Sequence, residues 1–183
     1  RALPLDAVTG MRLSADVRSV GTFACSNERL NRIQEMCRRT FLSNLFSVQS
    51  DCPHRERFGY GGDIVATCDA MMMNFDMSTF YAKAVRDWAD SARPDGMFTG
   101  TAPFVGIQYC GVGWAMAHPL LLERLRRSYG ESGLIAEQYE VAKRWFDAVA
   151  AKNGDGMSAE GLGDHEAIGA TLTAEVVPAF YVE

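Results

Sequence analysis

Leu30, Ile33, Cys37, Phe41 and Leu45 recur at spacings of three and four, the period of a helix that buries one face. This predicts an amphipathic helix over about 27–45, with Ser26 as its N-cap. Ile64, Val65, Cys68, Met71, Met72 and Phe75 mark a second helix, and Phe80, Tyr81, Ala84, Val85 and Trp88 a third, capped by Ser78. A fourth is expected over about 114–128, a fifth over about 134–151, and a last from about Thr173 to the terminus. Residues 11–20 read differently, because apolar and polar positions alternate there with the loose period of a half-buried strand. The fold class is therefore mainly α, about six helices with a short N-terminal β segment.

The connections alternate in length. Long loops follow helices one, three and five, and short turns follow helices two and four. Pro94-Asp-Gly-Met opens the second long loop, which runs to about Gly113. Asn153-Gly-Asp-Gly ends the fifth helix with C-cap chemistry and opens the third loop, about 153–170. The same tetrapeptide hints at a calcium loop but is too short for an EF-hand and reads as a turn. Helical hairpins stacked in this order put all three long loops at one end.

Composition narrows the function classes. In 183 residues, 48% are apolar and 22% charged, an ordinary globular balance for a chain long enough to bury a core. The net charge of −5 argues against nucleic acid as partner, because phosphate binding needs a basic stripe. No apolar run reaches the ~18–20 residues of a membrane span. The five cysteines include no CxxC pair, which argues against a closed zinc site. Cys37 and Cys68 fall on apolar helix faces and are expected to be buried. The chain begins at Arg1 rather than Met and reads as a mature or cut product, so periplasmic, secreted and cytoplasmic locations all stay open.

The first long loop carries the chemistry. Asp51-Cys-Pro-His-Arg-Glu-Arg-Phe-Gly-Tyr-Gly-Gly-Asp63 interleaves three carboxylates and two arginines with proline and glycines. Charge concentrated on a loop between well-formed helices is a common setting for catalysis. A plain alternative is a loop whose arginines and carboxylates form salt bridges with one another. Asp51 is also a turn-former ahead of Cys-Pro, and Asp63 a possible N-cap of the second helix.

This run resembles the acidic loop of bacterial α-L-rhamnosidases, inverting glycoside hydrolases with an (α/α)6-toroid catalytic domain. Phe23-Ala-Cys-Ser-Asn-Glu-Arg-Leu-Asn-Arg-Ile resembles the family's entry into its first barrel helix. Gly113-Trp114 with Ala117-His118-Pro119, and Gly161-Leu-Gly-Asp164, resemble later loop motifs. The resemblance covers about residues 16–183. It implies that 1–24 ends a preceding β-domain or linker and that 25–183 is the N-terminal half of the toroid. A half toroid leaves an apolar face uncovered, so the rest of the parent chain would complete it.

By motif position, the resemblance makes Glu56 the general acid. The acid must be protonated when the sugar arrives; Asp51 and Asp63 disfavour a further negative charge nearby, whereas Arg55 and Arg57 favour it. Asp51, Arg55 and Asp63 would hold sugar hydroxyls. Tyr60 and Trp114 would offer apolar walls to the sugar's C–H faces, with core packing the alternative for Trp114. Asp164 and His165 would sit at the rim, without a metal site, and His118 within the fourth helix reads as structural. No cofactor is implied. Tyr60 and His165 stand where the family usually has tryptophan. No residue matches the family's general base, which lies further along the chain than residue 183, so this piece alone is expected to be inactive. Two rival readings stay open: a non-catalytic carbohydrate-binding toroid, and a uronic-acid-active enzyme on the same fold.

Overall fold

The computed structural model describes residues 4–153 and 161–162. Its helices are α1 (Glu28–Ser43), α2 (Gly61–Asn74), α3 (Ser78–Asp90), α4 (Val112–Ala115), α5 (Ala117–Tyr129) and α6 (Ser132–Lys152). A minimal hairpin, β1 (Leu45–Phe46) with β2 (Val48–Gln49), follows α1. The expected helix from Thr173 lies outside the described residues.

Several local expectations are corrected. Asn27, not Ser26, caps α1, its side chain accepting from the Arg29 N–H. Ser78 is the first residue of α3 rather than its cap; Asp76 takes the capping role, accepting from the Ser78 N–H at 3.2 Å and hydroxyl at 2.8 Å. The expected fourth helix is two, broken at Met116. Pro119 explains the break: it has no N–H to give the Ala115 carbonyl, and its ring crowds that carbonyl. Residues 11–20 form no strand. Their alternation does reflect burial, because Ala15 and Val17 pack against the core, but the backbone docks onto scattered partners. Ala15 N donates to Leu45 O at 2.6 Å and Val20 N to Asn74 O at 3.0 Å, and Ser19 bridges Phe75.

The core lies between α2, α3, α5 and α6. α3 packs mainly on α5, α2 on α4 and α5, and α6 on α5 and α3. Trp88, Tyr81, Phe75, Phe98, Leu121 and Leu125 are fully buried. Phe98 sits at the centre of an aromatic group, its ring 4.9 Å from His118, 5.8 Å from Trp145 and 6.0 Å from Trp88. Phe98 belongs to the second long loop, so this cluster anchors that loop to three helices.

α1 is different, because none of its residues is buried. Leu30, Ile33 and Met36 are exposed, and so is Cys37, contrary to the expectation that it is buried; Cys68 is buried as expected. The α1 stripe has the right period, and Phe41 and Leu45 at its end meet the core, but no described element buries Leu30 or Ile33.

The two ends of the bundle are built differently. At one end the short α2–α3 turn meets the close of α5, where the Met77 N–H donates to the Tyr129 hydroxyl at 3.0 Å. At the other end the long loops are stitched together. Ala102 N donates to Gly59 O at 2.9 Å, Gly61 N donates to Gly100 O at 3.2 Å, and Tyr60 bridges Thr101. Gly111 in turn bridges Gly161, and Leu162 N donates to Cys110 O at 3.0 Å. Segments of all three long loops therefore meet at one end, beside the N-termini of α2 and α4.

Candidate active site

The acidic loop closes on itself through Asp51. The Asp51 N–H donates to Phe58 O at 3.1 Å, and Asp51 Oδ1 accepts from the Phe58 N–H at 2.9 Å. Its other oxygen accepts from the Cys52 thiol at 3.0 Å, and that sulfur accepts from the Glu56 N–H at 3.3 Å. One carboxylate thus fixes both ends of the turn that carries Glu56, so the turn-forming reading of Asp51 is part of the answer. The turn is tight enough that Arg57 adopts φ of 60°, a left-handed conformation that costs a side-chain-bearing residue energy and recurs at functional sites.

Glu56 is exposed, and its Oε2 accepts from the Tyr60 hydroxyl at 2.7 Å. Burial pushes the Tyr60 phenol above its ordinary range, and the Glu56 hydrogen bond and charge, followed by the Asp51 charge, push it further. Arg55 and Arg57 are exposed. Neither pairs with a carboxylate among the described residues, so the loop is not a set of internal salt bridges.

Gly61 and Gly62 explain how Trp114 reaches this loop. A Cβ on Gly61 would fall 1.9 Å from the Trp114 carbonyl oxygen, and one on Gly62 would fall 2.7 Å from the indole ring. Only glycine permits that approach. Trp114 is therefore a half-buried residue of α4 seated on the N-terminus of α2, beside the end of the acidic loop. Asp63 lies in the first turn of α2 rather than at its cap, which Tyr60 occupies; a carboxylate there is favoured by the helix dipole. Its carbonyl accepts from Gln49 Nε2 at 3.0 Å, which ties β2 to α2.

Asp51, Arg55, Glu56, Tyr60, Asp63 and Trp114 thus occupy one loop, the helix start that follows it, and the short helix packed there. Asp164 and His165 lie outside the described residues. His118 is fully buried, with Nε2 3.3 Å from Gln138 Oε1, and belongs to the core. Sequence reasoning missed Cys52, whose thiol links Asp51 to the Glu56 backbone, and the Tyr60–Glu56 bond. The spacing of four between Glu56 and Tyr60 carries no signal in a loop.

Known proteins resemble this chain in sequence and fold. An α-L-rhamnosidase of Formosa agariphila is 27% identical over 171 residues, covering 87% of this chain and 18% of that protein. One from Streptomyces avermitilis is 29% identical over 162 residues, covering 86% of this chain and 16% of that protein. Among solved structures, the α-L-rhamnosidase from Dictyoglumus thermophilum superposes with a TM-score of 0.87 at 27% identity, over 92% of this chain and 20% of that one. The Streptomyces avermitilis α-L-rhamnosidase complexed with L-rhamnose superposes with a TM-score of 0.82 at 25% identity, over 92% of this chain and 17% of that one. The chain thus spans no more than a fifth of the length of these relatives. Residues 18–183 match the bacterial alpha-L-rhamnosidase 6 hairpin glycosidase domain, and the chain belongs to that family.

Proposed function

We propose that this chain is the acid-bearing N-terminal half of the catalytic domain of a longer glycoside hydrolase that removes terminal α-L-rhamnose with inversion. Residues 1–24 lead in from a preceding domain, and 25–183 supply half of the toroid. Inverting hydrolysis needs one protonated carboxyl at the leaving oxygen and one carboxylate across the sugar to activate water. Glu56 is the acid. Asp51, Arg55 and Asp63 hold the sugar's hydroxyls, Tyr60 and Trp114 form its apolar wall, and Asp164 and His165 complete the rim. The base comes from sequence beyond residue 183, so the chain alone binds at best weakly and does not turn over. The observation that carries the reading is Glu56 itself: an exposed carboxylate that no arginine neutralises among the described residues, on the loop at the N-terminus of α2, in a chain of the rhamnosidase family.

The test is hydrolysis of p-nitrophenyl α-L-rhamnoside and of a natural rhamnosyl disaccharide by the longer enzyme. Glu56→Gln is expected to lower kcat by about two to four orders of magnitude on the disaccharide, whose leaving group needs its proton. The loss on the aryl glycoside is smaller. A wild type inactive on both substrates rules out the rhamnoside assignment. A second reading rests on Arg55 and Arg57, two exposed guanidinium groups beside Glu56 that have no carboxylate partner among the described residues. They suit a substrate carboxylate, and hydrolysis of uronides in preference to rhamnosides would establish that alternative.

A further inference from the structure

We infer that Tyr60 is a positioning residue for Glu56: its phenol holds one carboxyl oxygen and leaves the other to deliver the proton. The inference rests on Glu56 being the acid. The Tyr60 hydroxyl donates to Glu56 Oε2 at 2.7 Å, a well-formed O–H···O bond. The two partners are held unequally. Glu56 is exposed, and its side chain has no other hydrogen bond among the described residues. Tyr60 is anchored on three sides. Its backbone bridges Thr101, its N–H donates to Phe58 O at 3.1 Å, and its ring lies 6.2 Å from that of Phe58. The next residue, Gly61, is locked beneath the Trp114 carbonyl. A rigid phenol therefore fixes a mobile carboxyl.

The charges around the phenol keep it a donor. Glu56 and Asp51 face it with negative charge, and the Cys110 thiol lies close enough to add to the same effect. Arg55 and Arg57 are exposed on the same loop and form no ion pair with Glu56 among the described residues. The phenol accordingly stays protonated at any pH where a glycosidase works. With Oε2 accepting, the proton of the neutral carboxyl belongs on Oε1, because a carbonyl oxygen is the better acceptor. Oε1 is then the atom that meets the leaving oxygen.

Tyr60→Phe in the longer enzyme removes one oxygen and keeps the ring. The hydroxyl bonds only an exposed side chain, so folding is retained. The readout is kcat and KM on the disaccharide, wild type beside Tyr60→Phe. At the wild-type optimum kcat is expected to fall about tenfold with KM little changed, because the carboxyl loses its fixed orientation. Thermal unfolding of both proteins runs alongside, since a merely structural role would lower stability and leave kcat in place. An unchanged kcat in Tyr60→Phe, with Glu56→Gln inactive on the disaccharide, overturns the role of Tyr60 and leaves the acid standing. Full activity in Glu56→Gln overturns both.

Discussion

Gln138 shows how one buried residue couples charge on the surface to pH sensitivity inside. Arg86 grips Glu137 with two bonds of 2.8 Å, and Gln138 Nε2 donates to the same carboxylate at 2.9 Å. That turns the Gln138 oxygen toward His118, so His118 carries its hydrogen on Nε2 and leaves Nδ1 buried without a partner among the described residues. Burial, partly offset by Gln138, holds the imidazole down to about 4, from an ordinary 6.5. Between those values the unfolded chain binds more protons than the folded one. Stability is therefore expected to fall as pH drops from about 6.5 to about 4, by about 3 kcal/mol in all. The losses at Glu137, held down to about 2 by Arg86 and Gln138, and at Asp76, held low by Arg18 and Ser78, come at lower pH. Urea unfolding of the domain across this range measures the slope. His118→Leu is expected to flatten it between 6.5 and 4, and an unchanged slope would assign the sensitivity elsewhere.

At the scale of elements, Arg38 does for α1 what apolar burial does for the other helices. Its guanidinium donates to Ser19 Oγ at 2.6 Å, Asn74 Oδ1 at 2.9 Å and Gly21 O at 3.2 Å, and lies 4.6 Å from the Phe75 ring centroid. Gln34 adds a bond of 2.7 Å to the same Asn74 oxygen. These contacts join α1, the segment 19–21 and the end of α2. Arg38→Ala is expected to cost about 1–3 kcal/mol and to free residues 11–21 for faster amide exchange. Arg38→Lys should rescue little, because a point charge cannot serve three diverging acceptors. This joint also shows why some elements were legible in the sequence and others were not. The periods of α2, α3 and α6 come from faces that the chain itself buries, so pattern and burial agree. Residues 11–20 share the period of a strand, yet their partners are Leu45 and Asn74 on separate elements, which no local pattern encodes. The break at Met116 was legible in Pro119. The meeting of Tyr60 with Glu56 follows loop closure by Asp51, and the seating of Trp114 on Gly62 joins two helices; both exist only in three dimensions.

At the scale of the molecule, the unanswered face is that of α1. Leu30, Ile33 and Met36 remain 46%, 46% and 62% exposed, although they sit at core spacing on an amphipathic helix. Exposed Phe23 precedes the same helix. Contiguous apolar surface of this kind marks an interface, and the relatives that match this chain extend well beyond it. If further helices of a longer protein close the toroid over α1, a charge placed there meets two different environments. Ile33→Asp is then expected to destabilise the longer protein by about 1–3 kcal/mol or more, because it buries an unpaired carboxylate. The same change in the isolated chain should be nearly neutral in stability, and it should reduce self-association and the binding of an apolar dye. Denaturant unfolding of both forms, wild type beside Ile33→Asp, makes the comparison. Equal and small effects in the two would mean that α1 faces water in the longer protein as well. The toroid would then close along some other face.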